Sequence, residues 1–293
     1  MRWPSSLSKK IKSGVALKPL TSFKIGGAAR YFFEPDNIFS LQQALCYARK
    51  KSLPVFILGA GSNLLVADQG VNGLVIKLSH PVFKQIYHQG SCIIAGSGLK
   101  LSQLVLYAAR HSLGGVEFLA GIPGCLGGSL LGNAGAWGHS IGRLAQQVGI
   151  LDYNGRFKVL SARELKFGYR KSNLAKFVII WVKLKLCSRD KNKIASRIKQ
   201  YLSARGSSQD SRLPNAGCVF KNPAGSSAGK LLDRCGLKGL QVGKAAVSLK
   251  HANFILNTGG ASFREVSGLM ALMRKKVKKA YKVDLKPEIK IWK

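Results

Sequence analysis

Acidic residues are scarce in this chain. Only 12 Asp+Glu stand against 47 Lys+Arg in 293 residues, a formal charge of +35. No uninterrupted apolar run reaches the ~18 to 20 residues of a membrane-spanning helix, and the opening MRWPSSLSKKIKSG lacks the apolar stretch of a secretory signal. The six cysteines (Cys46, Cys92, Cys125, Cys187, Cys218, Cys235) form no CxxC pair, which argues against a zinc ribbon, any other clustered metal site and a dithiol redox motif. Reduced, buried thiols are expected instead. There is no GxxxxGK[ST] phosphate loop, no zinc-finger spacing, no RNP-like aromatic motif and no internal repeat. With 46% hydrophobic residues the charge does not imply disorder. These absences predict an intracellular globular protein without membrane insertion, of about two domains at ~150 residues each.

The basic balance raises nucleic-acid binding as one reading. Its distribution weakens that reading, since ten Lys+Arg fall within residues 1 to 51 and nine within 274 to 293, at the two ends. A broadly positive surface would also draw in an anionic small substrate.

Residues 36 to 51 have helical spacing in Leu41, Ala44, Leu45 and Ala48, with Asp36 as the expected cap. LPVFIL (53 to 58) and GLVIKL (73 to 78) read as strands, as do residues 92 to 95 and 148 to 153; residues 101 to 112 read as a helix. VIIWVKLKL (178 to 186) ends in alternation, which predicts one wet face. A polar stretch from Cys187 marks a boundary, followed by a helix on Ile194, Ile198, Tyr201 and Leu202. Ser262 and Glu265 form a capping-box pair ahead of a long amphipathic helix through Val277.

Two segments break the lysine-rich pattern. Asp68 is the sole charged residue between Leu53 and Ile76, and Glu117 the sole one between His111 and Gly142, where ten glycines lie from Gly114 to Gly142. Such glycine density lets backbone N–H groups approach an anion, with Ser62, Asn63 and Asn133 available to assist. The turn Gly59-Ala60-Gly61-Ser62-Asn63 is not a strand–turn–helix dinucleotide fingerprint, because Leu64 takes the place of the third glycine and strand-like sequence follows. On spacing alone, a structural turn and a phosphate loop both fit.

TSFKIGGAARYF (21 to 32), LGAGSNLLVADQGVNGLVI (58 to 76), VEFLAGIPGCLGGSLLGNAGAWG (116 to 138), FGYRKS (167 to 172), NAGCVFKNP (215 to 223), HANFILN (251 to 257) and PEIKIW (287 to 292) occur in register. In these motifs the chain resembles the UDP-N-acetylenolpyruvoylglucosamine reductase (MurB) family over nearly its whole length. The resemblance implies an α+β protein: an FAD-binding fold of the vanillyl-alcohol-oxidase type in two subdomains (1–50 and 51–188), then a substrate-binding domain (189–293). It implies non-covalent FAD reduced by NADPH, and reduction of UDP-N-acetylglucosamine enolpyruvate to UDP-N-acetylmuramate in the bacterial cytoplasm. Gly59, Ala60, Gly61, Ser62, Asn63 and Leu64 would line the FAD pyrophosphate with Gly121, Ile122, Pro123 and Gly124. Gly128, Asn133, Gly135 and Ala136 would form the second wall. Arg170, Cys218 and Glu288 match the catalytic positions, and Tyr169, Lys221, Asn222 and His251 the substrate positions. Two departures stand out: KSNLAKF (171 to 177) is too short for the tyrosine-bearing loop of the longer branch, so the shorter, type II branch is expected, and Cys218 replaces the usual serine.

The chemistry suits these residue types. Hydride addition to the enolpyruvyl β-carbon pushes charge onto the α-carbon and its carboxylate, which a fixed guanidinium can neutralise. A thiol of pKa ~8.5 can protonate the α-carbon, and nearby cations would lower that pKa. Glu288 is expected to hold the carboxylate, with its own pKa raised by burial. The plainer alternatives are a surface ion pair for Arg170, a small buried thiol for Cys218 and an exposed carboxylate for Glu288. Another flavin oxidoreductase of the same fold would keep both glycine-rich stretches without needing all three residues.

Overall fold

The computed structural model describes residues 3–210 and 212–293. The chain forms two compact units, each assembled from three stretches: Met1–Ser13, Tyr31–Ala60 and Gly73–Ala204 in the first, and Gly14–Arg30, Gly61–Asn72 and Arg205–Lys293 in the second.

In the first unit an antiparallel sheet runs in the order Phe157–Ser161, Ala145–Leu151, Val178–Lys185, Cys92–Gly96, Ile86–Gln89. Val182 and Leu184 point into a core shared with Leu101, Leu104, Val105 and Ala108 of the helix Leu101–Arg110, while Lys183 and Lys185 take the wetter face. The alternation read in the sequence is therefore real. The strand expected at 148 to 153 spans Ala145–Leu151 instead. It stops there because the Asp152 carboxylate accepts the N–H groups of Asn154 and Arg156, closing a tight turn. A second core joins Leu41, Ala44, Leu45 and Ala48 of the helix Ile38–Lys50 to Leu74, Ile76 and Ile180. The cap of that helix is Asn37, not Asp36. Extended Asn37 accepts the Ser40 N–H through Oδ1 at 2.8 Å, whereas Asp36 accepts the Ser40 hydroxyl and pairs with Lys10.

Beyond the polar boundary, Cys187–Ser188 pairs with Leu113–Gly114 before the helix Lys191–Ser208 begins. Ile194 is buried there and Ile198 and Tyr201 pack partly, but Leu202 is 47% exposed, so the apolar stripe is narrower than its spacing suggested.

In the second unit the helix Phe263–Tyr281 starts at the expected capping box, with Ser262 Oγ accepting from Glu265 N and the Glu265 carboxylate accepting from Ser262 N. Val266, Leu269, Met270, Met273 and Val277 are buried against Phe220, Ile255, Leu285 and Ile289, each contributing about 1.5–3 kcal/mol. The strands Gln241–Val242, Ala245–Val247 and Ile255–Asn257 form a small antiparallel sheet. Leu64–Val66 pairs in parallel with Lys290–Trp292. All six cysteines are free, but only Cys125 is buried; Cys46 and Cys187 are exposed and the others intermediate, which corrects the expectation of buried thiols. Among the described residues no helix is long and apolar enough to cross a membrane, and no cluster of three His, Cys, Asp or Glu side chains could hold a metal ion.

Candidate active site

The first glycine turn leaves the strand Val55–Leu58, which pairs in parallel with Leu74–Lys77. A Cβ on Gly59 would lie 2.6 Å from Cys125 Sγ, so a larger residue there would require the Cys125 side chain to shift. At Gly61 the backbone is left-handed (φ +65°), and a Cβ would meet Leu20 O at 2.3 Å. The Gly61 carbonyl accepts from Ser22 N at 3.1 Å, and the Asn63 carbonyl from Lys290 N at 3.0 Å. The Asn63 amide donates to Glu288 O at 3.4 Å, tying the turn to the segment that carries Glu288 just before the strand Lys290–Trp292. With these carbonyls engaged, the N–H groups of Gly61 and Asn63 have no protein acceptor among the described residues. Leu64 opens the following strand, as expected.

The second glycine loop has the same character. Gly121 and Gly124 have positive φ (75° and 156°), Gly124 O accepts from Leu101 N, and the N–H groups of Gly121, Gly124 and Cys125 find no protein acceptor among the described residues. Ile122 is half-buried and Pro123 exposed. Buried Glu117 anchors the approach to this loop, accepting from Gly115 N at 2.6 Å and Arg189 Nη1 at 2.8 Å. Sequence reasoning missed that role; the signal was the single acid in an otherwise uncharged stretch. Nothing in the packing demands glycine at Gly128, where a Cβ would meet only Cys125 Sγ at an ordinary 3.7 Å. Gly135–Ala136 pairs with His139–Ser140, and a Cβ on Gly135 would lie 2.4 Å from His139 O. Both ends of the Asn133 amide are engaged with backbone: Oδ1 accepts from Gly142 N at 3.0 Å and Nδ2 donates to Gly168 O at 2.9 Å.

Arg170 occupies a two-residue turn with Tyr169 between the paired strands Phe167–Gly168 and Lys171–Ser172. Its φ is +52°, a conformation that costs a non-glycine residue about 1–2 kcal/mol. Nη1 donates to Gly135 O at 3.2 Å, and the guanidinium lies 5.6 Å from the centre of the Tyr169 ring. Tyr169 is itself 54% exposed.

Cys218 and Glu288 come close together in the fold of the second unit. Backbone bridges pair Cys218 with Phe254 and Phe220 with Pro287, Glu288 N donates to Val219 O at 2.8 Å, and Lys221 N donates to Lys286 O at 2.9 Å. Buried Asn253 clamps this strand, exchanging hydrogen bonds with Phe220 N and O. Its role was not anticipated, although HANF lay within a quoted motif. Asn222 Oδ1 accepts from Ala228 N at 3.0 Å, at the start of the helix Ala228–Arg234. His251 Cε1 is 3.1 Å from where a Gly229 Cβ would stand, so both residues meet that helix start. His251 Nδ1 accepts from Asn253 N, and burial lowers the imidazole pKa.

A profile described as the C-terminal domain of UDP-N-acetylenolpyruvoylglucosamine reductase matches residues 209–292, and an FAD-binding-domain profile matches 29–161. The UDP-N-acetylenolpyruvoylglucosamine reductase of Desulforamulus reducens is 40% identical over 291 residues, covering 98% of this chain and 95% of the relative. This chain belongs to that family. The Listeria monocytogenes reductase is 38% identical over 283 residues, covering 96% and 94%. The crystal structure of the Thermus caldophilus enzyme matches with a TM-score of 0.84 at 37% identity, covering 97% of this chain and 99% of that one. The family's α+β FAD-binding fold is thus the fold of this chain. Both glycine loops fall within the FAD-binding match, and Cys218, Lys221, Asn222, His251 and Glu288 within the C-terminal match, whereas Arg170 lies between the two. The N–H groups of the glycine loops that lack a protein acceptor among the described residues, and the close backbone approach at Gly61, suit a pyrophosphate-bearing cofactor.

Proposed function

We propose that this protein reduces UDP-N-acetylglucosamine enolpyruvate to UDP-N-acetylmuramate in peptidoglycan precursor synthesis, an FAD-dependent oxidoreductase using NADPH. The observation that carries this reading is the 40% identity across 98% of the chain with a reductase of that name, supported by the FAD-binding match at 29–161. The ligands are then a UDP-sugar and NADPH, in the bacterial cytoplasm, and no nucleic acid is needed. Residues 1–50 and 51–188 serve the cofactor and 189–293 the UDP-sugar.

Bound FAD would supply hydride, drawn from NADPH, for the β-carbon of the enolpyruvyl group. Backbone N–H groups of the Gly59–Leu64 turn and the Gly121–Gly124 loop hold its pyrophosphate, since no lysine lies in either segment. Gly128, Gly135 and Ala136 line its second wall, with Asn133 behind them. Arg170 neutralises the substrate carboxylate as charge develops, and its strained turn is consistent with a guanidinium fixed in advance. Glu288, in its protonated form, would donate a hydrogen bond that helps hold or polarise the enolate carboxylate. The Cys218 thiol gives its proton to the α-carbon, completing addition across the double bond, and the thiolate regains a proton from solvent. Lys221, Asn222, His251 and Tyr169 orient the UDP-sugar.

The direct test is the visible spectrum of purified protein together with NADPH oxidation in the presence and absence of UDP-N-acetylglucosamine enolpyruvate. Flavin absorbance with substrate-dependent turnover is expected. Flavin without turnover would reject this substrate while keeping the cofactor.

A further inference from the structure

Resting on that reading, we propose that the Asn133 side chain, assisted by Ser172, is the positioning device for Arg170. Three hydrogen bonds fasten the Arg170 turn to the glycine-rich segment before it: Asn133 Nδ2 to Gly168 O at 2.9 Å, Ser172 Oγ to Leu131 O at 2.9 Å, and Arg170 Nη1 to Gly135 O at 3.2 Å. The first grips the turn's backbone before Arg170, the second holds the turn after it through the Ser172 hydroxyl, and the third grips the guanidinium. Asn133 is buried (9% exposed), and its Oδ1 holds Gly142 N at 3.0 Å. Phe167, at the start of the turn, packs so closely on Gly142 that a Cβ there would lie 2.4 Å from its ring. One amide therefore locks the turn to the segment it packs against.

The backbone angles give the reason. Asn133 and Arg170 both have positive φ, 45° and 52°. Asparagine tolerates that region because its short amide satisfies nearby backbone groups. Arginine has no short amide to satisfy the backbone in that way, so holding the ends of the turn helps to present the guanidinium where Gly135 O also meets it. With both ends of its amide engaged by backbone, Asn133 acts on the cofactor wall through its main chain and on the reaction through Arg170.

The test uses Asn133→Gly, which keeps the backbone permissive and deletes both hydrogen bonds, together with Ser172→Ala. In stopped-flow measurements, oxidation of the reduced flavin by the enolpyruvyl substrate should slow about 10- to 100-fold in Asn133→Gly and about 3-fold in Ser172→Ala. Flavin reduction by NADPH should stay within about two-fold in Ser172→Ala, because that half-reaction does not need the guanidinium, and the Asn133→Gly rates are compared per bound flavin. In an Arg170→Lys background, Asn133→Gly should add less than about two-fold, the non-additivity of groups acting as one. Hydrogen exchange on the protein as purified gives an activity-free readout: amides of 167–172 should lose protection in Asn133→Gly while those of Val178–Lys185 keep theirs. Equal slowing of both half-reactions in Ser172→Ala, full additivity, or unchanged exchange at 167–172 would each overturn the assignment. A parent protein that reduces flavin with NADPH but never turns over substrate would instead sink the proposed reaction, leaving the exchange result to decide how the turn is held.

Discussion

Arg170 and Cys218, the two groups proposed to meet the developing charge and the missing proton, are held by opposite means. Cys218 sits at an isolated backbone bridge to Phe254, and the residues just after it pair with the 286–288 segment. Main-chain hydrogen bonds set its place, so exchanging serine for cysteine there alters one atom and its acidity while leaving the scaffold alone. Arg170 stands on a left-handed turn kept in place by side chains. A ladder position tolerates chemical variation; a strained turn depends on every residue that fastens it.

The largest expected effect tests the strained side of this comparison. Arg170→Ala should lower the rate of flavin oxidation by substrate ~10²- to 10³-fold, the usual loss for one preorganised donor, with flavin content unchanged. A loss confined to KM would mean that Arg170 only binds the ground state.

Next is backbone packing in the glycine turns. Gly61→Ala forces a Cβ onto Leu20 O at a positive φ and should cost about 1–3 kcal/mol in urea denaturation. Gly128→Ala meets nothing closer than 3.7 Å and should stay within about 0.5 kcal/mol. Flavin loss in Gly128→Ala at unchanged stability would therefore report direct cofactor contact.

The ladder side is sharpened by pH. Activity should fall as Cys218 ionises, from a reference near ~8.5, and in Cys218→Ser this alkaline limb should move or vanish while the neutral-pH rate stays within about ten-fold. Identical limbs in both proteins would count against a proton-donor role.

The smallest effect lies at exposed Asp284, whose pKa falls from 3.8 to about 2 through hydrogen bonds from Lys286 and Arg274. A carboxyl depressed in the folded state adds stability above its unfolded pKa and loses it as pH drops through the folded value. Thermal melts of Asp284→Asn as pH falls from 3.8 to about 2 should therefore show a slightly shallower acid decline than the parent. His251 has the same sign for a different reason. Burial opposes its protonation, so its contribution is present above the ordinary ~6.5 and fades as pH falls below it; NMR titration should find it neutral below that pH.

Local pattern was enough for the helices at Ile38–Lys50, Leu101–Arg110 and Phe263–Tyr281 and for the alternation before Lys185, because their apolar periodicity spans several turns or residue pairs. The glycine turns, the strand after them and the motif residues were legible for a related reason: each is a short, contiguous run whose charge and glycine content differ from its surroundings. What escaped was short-range competition, as where Asn37 outcompetes Asp36 for the cap or Asp152 ends a strand early. Long-range partnership escaped as well. Glu117 with Arg189, Asn253 with Phe220 and Asn133 with Gly168 join residues 72, 33 and 35 positions apart.

The sequence by itself determined which residues carry charge, acidity and conformational freedom, because those properties belong to the side chain wherever it sits. Only the tertiary structure decided that the chain forms two units, each drawn from three stretches, that Glu288 is joined through its carbonyl to Asn63, and that the turn carrying an arginine at positive φ is bonded to an asparagine 37 residues before that arginine. Such hydrogen bonds form only once packing has excluded water from both partners, and no one-dimensional pattern records that exclusion.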